Sequence, residues 1–454
     1  MQEAFLHYLW KLQYFDKTEL ATHGGQPLQV MAPGFANQHA GPDFQEARLR
    51  VEEVNWCGAV EIHLHSSDWL KHHHHTDPAY DNVILHVVWQ HDREITRTDG
   101  TAVPVLELKN RVADELLMRY KFLCTRQLSE PRPCSGTLQN VPSIIKTGML
   151  ERCLAERLHR KASDILHKLQ ANTGNWEETG SQVLLGSFGF KVNAAGFEAL
   201  GQRLPLRILQ KHADQPLQVE ALLFGMGGFL NGTFKDGYPL ALQKEFRFLK
   251  KKYFGDVEPV NPALWKMLRM RPANFPAVRL AQFSAFFLAF PRFFSLFIEL
   301  NKPAALLKML QVKVGAYWQS HYAPDRETGS AQLCMGKQSA ENIIINTVAP
   351  LKMAYGIYHD MPRLEEQAIE LLAQMPAEQN TVIRSWKKEG VAFKTAAAAQ
   401  GGLELQRQYC ENHRCLSCQI GHNLLKTLPV INSEADTANK IAPQVKKSVI
   451  LPGR

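Results

Sequence analysis

The sequence predicts an α+β protein, with a mixed α/β N-terminal domain followed by a mainly α-helical region. Three observations carry this reading. Between residues 28 and 108, short apolar or alternating runs are separated by polar, turn-forming stretches, as strands are. From about residue 112 the apolar spacing becomes helical and mostly stays so. The composition over 454 residues, 45% hydrophobic and 21% charged, is enough to bury cores in two or three domains.

Taken in order, Leu6, Leu9, Trp10, Leu12 and Phe15 recur at helical spacing and predict a helix over 3–20. Leu28 to Met31 is a short extended run. Ala47 to Val54 and Ala59 to Leu64 alternate polar and apolar residues, as half-buried strands do. Val83 to Trp89 is a continuous apolar run suited to an interior strand, and Val103 to Leu108 is a further candidate. Ser67 to Tyr80 is polar and reads as helix plus loop. Helices are expected over 145–171, 195–211, 217–230, 277–300, 303–312, 339–357 and 364–374. Two prolines in Arg269 to Pro276 mark a break. After Leu428 the chain is polar, with little to bury. The expected domains are therefore 1–125, mixed α/β; 140–428, mainly helical and ending in a cysteine cluster; and 429–454, a disordered tail. No internal repeat stands out.

Lys and Arg number 52 against 44 Asp and Glu, a formal charge of +8, which is compatible with nucleic acid but common without it. The start, MQEAFLHYLW, lacks the basic and apolar regions of a signal peptide, so a cytoplasmic location without disulfides is expected. The most apolar stretch, Val278 to Leu300, is interrupted by Gln282, Pro291, Arg292 and Glu299. It predicts a buried helix pair hinged at Pro291 and no membrane partner.

Residues 37 to 92 are the most informative. Half of the chain's 18 His lie between His39 and His91. On a strand over 60–64, Glu61, His63 and His65 share one face, with Val60, Ile62 and Leu64 towards the core. Asp43 follows a Gly-Pro turn that can present it to the same face. Paired carboxylates suit Mg²⁺ or Mn²⁺, and added imidazoles shift the preference towards Mn²⁺, Fe²⁺ or Zn²⁺. The bland alternative is a solvated sheet face, with His72 to His75 as an exposed helix end.

The order of a helix with an early acid (Glu3), Gly-Pro-Asp (Asp43) and a strand carrying Glu-x-His (Glu61, His63) resembles the PD-(D/E)XK nuclease superfamily. The resemblance implies a restriction-endonuclease-like fold and Mg²⁺-dependent phosphodiester cleavage. It implies that Asp43 and Glu61 hold the metal, that His63 stands where the family has a lysine, and that Glu3 assists. Histidine departs from that pattern, since it is neutral or charged near pH 7. A second frame, Asp99 with Glu107-Leu108-Lys109, is a literal D…E-x-K. Over nearly the whole length, strings such as G-P-D-F, W-C-G-A-V-E-I-H and R-C-L-S-C-Q-I-G resemble a bacterial family of uncharacterised proteins, domain of unknown function 2851. That resemblance implies one architecture and no activity.

Cys410, Cys415 and Cys418, with His413 and His422 close by, have the spacing of a metal clip. A Cys3His set with His422 is a familiar closed zinc site. The three cysteines also match the spacing of a plant-type iron–sulfur site that needs a distant fourth. They resemble, in part, the C-terminal cysteine loop of helical DNA glycosylases. The competing reading is three reduced thiols buried as small hydrophobes.

Phe224-Gly-Met-Gly-Gly-Phe-Leu230 lacks the Lys-Ser/Thr of a phosphate loop and reads as helix packing. Lys250, Lys251 and Lys252, interleaved with Phe246, Phe248, Tyr253 and Phe254, would with Arg269, Arg271 and Arg279 form a basic, aromatic surface for nucleic acid. The alternative is a solvated helix face. The sequence thus points to a metal-dependent nuclease or nucleic-acid-processing protein. Its rivals are a non-catalytic binding or scaffold protein and a hydrolase with a zinc site near His63, His65 and His72.

Overall fold

The computed structural model describes residues 1–37, 39–124, 131–328 and 334–429. The tail expected over 429–454 lies outside them apart from Pro429. The chain forms two units, one built from Met1–Met149 with the segment from Gln406, the other from Leu150–Leu405.

The first unit opens with α1 (Glu3–Leu12), which buries Phe5, Leu6, Tyr8, Leu9 and Trp10. It is shorter than its apolar spacing predicts, because Gln13 adopts a left-handed conformation (φ 55°) that ends it. The strands are β1 (Leu28–Ala32), β2 (Phe35–Ala36), β3 (Phe44–Val51), β4 (Val54–His65), β5 (Val83–Gln90) and β6 (Val105–Glu107). They form one mixed sheet in the order β1-β3-β4-β5-β6, with β2 also on β3. β1, β3 and β4 are antiparallel neighbours, whereas β4, β5 and β6 are parallel. Parallel pairing requires a crossover. Between β4 and β5 this is α2 (Asp68–Lys71) and two 3₁₀ turns, His74–Thr76 and Pro78–Tyr80.

Two details correct the expected strands. β3 turns tightly at Glu52-Glu53, with Val51 facing Val54, so β4 includes the Trp-Cys-Gly run. In the middle of β4 both faces are buried, from Gly58 to His63, so Glu61 and His63 are covered and do not line an open sheet face. Gly58 permits this: a Cβ there would lie 2.6 Å from Ile84 Cγ2 and 2.7 Å from the Asn82 carbonyl, where β4 meets β5.

α3 (Asp114–Cys124) follows, and the rest is helical. The next elements are α4 (Ser143–Ala171), α5 (Trp176–Phe188), α6 (Ala194–Arg203), α7 (Leu206–Lys211), α8 (Pro216–Met226) and α9 (Gly237–Tyr253). Then come α10 (Pro276–Ala289), α11 (Phe293–Glu299), α12 (Pro303–Leu310), α13 (Lys337–Ile343), α14 (Ala349–Tyr358), α15 (Pro362–Ala373), α16 (Thr381–Lys388) and α17 (Ala396–Glu404). The helix expected over 195–211 is split at Leu204-Pro205. The glycine-rich run closes α8 as helix packing. α10 and α11 bend by 81° about Pro291, and their phenylalanines sit in the core of the second unit. No single helix among the described residues is long and apolar enough to cross a membrane. The segment from Gln406 returns to the first unit and ends in α18 (Gln419–Thr427).

Candidate functional site

The polar cluster of the first unit is assembled from α1, the start of β3, β4, β5 and the crossover. Asp43 is set by the turn before β3. There the Asn37 side chain donates to the Pro42 carbonyl (3.0 Å), and the Asn37 N–H donates to the Asp43 carbonyl (2.7 Å). A bulge between Phe44 and Ala47, with Glu46 at φ 58°, re-aims the strand start. Asp43 thereby meets Glu61 across the β3–β4 pairing. The Asp43 N–H donates to Glu61 Oε2 (3.0 Å), and the Ile62 N–H donates to Asp43 Oδ2 (3.0 Å).

Imidazoles surround this carboxylate pair. His7 Nε2 lies 3.3 Å from Asp43 Oδ2. His63 Nε2 lies 3.5 Å from Glu61 Oε1 and 4.0 Å from Glu3 Oε1. His74 Nε2 approaches Glu61 Oε1 at 3.2 Å without hydrogen-bond alignment. His63 Nδ1 and His86 Nε2 are 2.8 Å apart, and His63 Nε2 and His72 Nδ1 are 3.0 Å apart. The donor atoms of His63, His72 and His74 lie within 4.8 Å of one another. The left-handed backbone of His73 (φ 63°) reverses the chain between His72 and His74. Tyr80 stacks on His74 at 3.7 Å.

Burial governs the electrostatics. It drives the His63 imidazole down to about 3, helped by the neighbouring His72 and His74. His86 is also pushed well down, by burial and then His63. Burial, with the Asp43 carboxylate adding to it, raises Glu61 and Glu3 above the usual carboxylate range. For His7 burial pulls downward, but Asp43 outweighs it and the net shift is upward. Burial next to Glu61 and Asp43 pushes Tyr80 up to about 12. His63 is therefore neutral at neutral pH and carries one ring proton. With that proton on Nδ1 and donated to His86, its Nε2 lone pair faces His72 and Glu61. Three imidazole nitrogens, that of buried His74 without a hydrogen bond, and two adjacent carboxylates fit a divalent cation. An ion roughly 2.0–2.1 Å from each nitrogen would draw the group together.

Asp43, Glu61, His63 and Glu3, each picked out in the sequence, thus come together. His65 does not join them: it is exposed at the end of β4, where its N–H donates to Asp68. The second frame is separate. Asp99 accepts from Thr101 in an exposed turn, Glu107 accepts from the His91 N–H, and Lys109 reaches Gln90. Sequence reasoning missed His7, His74 and His86. His7 carried a signal, one helical turn after Glu3. So did His86, as a histidine inside an apolar strand run.

The C-terminal set differs from expectation at one residue. Cys410, Cys415 and Cys418 are buried, but His422 faces away, with Nε2 3.3 Å from the Tyr14 hydroxyl and its ring edge-on to Tyr8 and Tyr14. The cysteines lie in the first unit, not at the end of the helical one, because the chain returns after Leu405.

In the second unit, Lys251 and Lys252 are exposed and Lys250 pairs with Glu258 (3.1 Å). Lys252 sits over the Phe248 and Tyr253 rings, and Phe248 is 61% exposed. Arg269 and Arg271 stand on the exposed segment before α10. Arg279 is not on this surface. It is buried over the Phe190 ring and donates to Gln282, Asn274 and Ser339.

The chain is thus an α+β protein whose N-terminal unit carries a partly buried carboxylate–imidazole cluster. It belongs to the family described as Protein of unknown function (DUF2851), whose model matches residues 3–381. No curated protein and no solved structure matches it.

Proposed function

We propose that the first unit is a metal-dependent hydrolase of phosphodiesters, with Asp43, Glu61, His63, His72 and His74 as the metal-holding set. The carrying observation is the convergence of these residues, from separate parts of the chain, on one cluster in which Glu61, His63 and His74 are buried. The mixed donor set favours Mn²⁺ or Zn²⁺ over Mg²⁺. A cation held there would supply Lewis-acid charge and lower the pKa of a bound water. His63 is kept neutral, so it serves as a lone-pair donor and not as the cation a lysine would provide. His7, raised by Asp43, lies beside the carboxylates and is placed to protonate a departing oxygen. Support for a phosphodiester substrate is the order shared with the PD-(D/E)XK pattern: a helix with an early acid, Asp43 at the start of an antiparallel hairpin, and Glu61 and His63 on its second strand. In the second unit, Lys251, Lys252, Arg269 and Arg271 offer charge for a nucleic-acid backbone, and the exposed Phe248 offers a stacking face for a base.

The test is cleavage of single-stranded and duplex DNA by the full chain with added Mn²⁺, Zn²⁺ or Mg²⁺. Metal-dependent cleavage by the parent is expected. It should fall in Asp43→Asn and Glu61→Gln by more than the roughly 10–100-fold that outer-shell changes typically cost. Equal cleavage by parent and variants would overturn the reading. A second reading, a non-catalytic binding protein, is favoured by one observation, the neutral His63 at the lysine position. A parent that binds DNA without cutting it would select that reading.

A further inference from the structure

We infer that Cys134, Cys410, Cys415 and Cys418 form a four-thiolate zinc site that ties the C-terminal segment into the first unit. The sequence offers three cysteines at metal-clip spacing and no fourth nearby. The fold supplies one from 276 residues earlier in the chain: Cys134, in the loop after α3, lines the same small cavity as Cys410, Cys415 and Cys418. All four are buried.

The backbone around the C-terminal three is shaped as a tight knuckle. The Cys418 N–H donates to the Cys415 carbonyl (3.2 Å), and the His422 N–H donates to the Cys418 carbonyl (2.8 Å) at the start of α18. Gly421 is required there, since a Cβ would lie 2.2 Å from the Cys415 carbonyl oxygen. His413, at φ 52°, turns the chain between Cys410 and Cys415.

The cavity leaves about 20 Å³ for a water-sized occupant, the scale of a single ion. With their sulfurs turned inward, the four cysteines lining this single-ion space would select zinc. Burial, with Cys134 and Cys418 adding to it, pushes the Cys410 thiol far up. Cys415 shares a hydrogen bond with Cys124 and points towards the Leu123 carbonyl at 3.9 Å. On binding, each thiol releases its proton to solvent and the divalent ion takes four thiolates, leaving a net charge of −2. The buried Arg132, which opposes the rise at Cys410, and Arg414 at the cavity wall offset that charge.

The experiment is metal analysis of the full chain, with the visible spectrum of the cobalt-substituted protein. The comparison set is Cys134→Ser, Cys134→His, His422→Ala and Cys153→Ser, the last a buried cysteine of the second unit. Expected are intense sulfur-to-cobalt charge-transfer bands in the parent, absent from a site made of carboxylate and imidazole. His422→Ala and Cys153→Ser should keep both the bands and the parent's zinc. Cys134→Ser should lose about one zinc per chain. Cys134→His, which keeps a ligand if serine prevents folding, should hold metal with altered bands. Full metal and unchanged bands in both Cys134 variants would overturn the inference. So would loss of zinc in His422→Ala, iron in place of zinc, or a parent without the bands.

Discussion

His86 is a histidine in the middle of an interior parallel strand, where Val or Ile ordinarily stands. It is fully buried, and its Nε2 lies 2.8 Å from His63 Nδ1. In the proposed site it would orient His63 by accepting that ring's Nδ1 proton. In His86→Leu the His63 Nδ1–H would be buried without a partner, at a cost of about 1–3 kcal/mol. Mn²⁺ affinity should also fall about 10–100-fold, as loss of an outer-shell partner does. Urea unfolding and metal titration of the variant check the two effects, and unchanged affinity would remove His86 from the site. At this scale much of the cluster was legible. Asp43 after Gly-Pro, and Glu61 two residues before His63, are local patterns. His74 was not, because its inward turn depends on the left-handed backbone of His73, which four consecutive histidines do not reveal.

Among the elements, α4 carries a lysine that helix periodicity would place without comment. Lys161 is half-buried in the second unit and donates to Asn346 Oδ1 (2.7 Å). Beside it, Arg157 and Arg160 both pair with Glu404 (2.9 and 2.8 Å). Burial, with Arg157 next, brings Lys161 down to about 7 from its ordinary 10.5. The unfolded chain therefore binds more protons between pH 7 and 10.5, and stability rises with pH across that window as the folded lysine loses its charge. In Lys161→Met this contribution vanishes. Thermal unfolding from pH 7 to 9 should show the parent gaining on the variant, and parallel pH curves would contradict the assignment. Asn346 lies on a π-helical turn, Ile344–Val348, between α13 and α14. Apolar spacing alone predicted one helix over 339–357. Pro350 lacks an N–H and would clash with the carbonyl four residues earlier, and the wider turn accommodates it. Helix existence was legible because burial imposes a period. Helix breaks were less so, because one residue's backbone sets them.

For the whole molecule, the linear reading of strands followed by helices describes the order of elements but not their grouping. The first unit draws on both ends of the chain, with the segment from Gln406 completing it. Periodicity is local and carries no information about which distant segment a helix joins, so neither the return of α18 nor the approach of Cys134 to the other cysteines could be read beforehand. The family match over residues 3–381 includes the carboxylate–imidazole cluster and stops short of Cys410. The central claim is that this cluster holds a divalent cation. It is tested most directly by calorimetric titration of Mn²⁺ into chelator-treated full chain, because Mn²⁺ suits carboxylate and imidazole and not a four-thiolate site. The account predicts one Mn²⁺ bound by the parent, lost in Asp43→Asn/Glu61→Gln and weakened in His72→Ala/His74→Ala. Mn²⁺ binding that is absent from the folded parent, or identical in all three proteins, would contradict it.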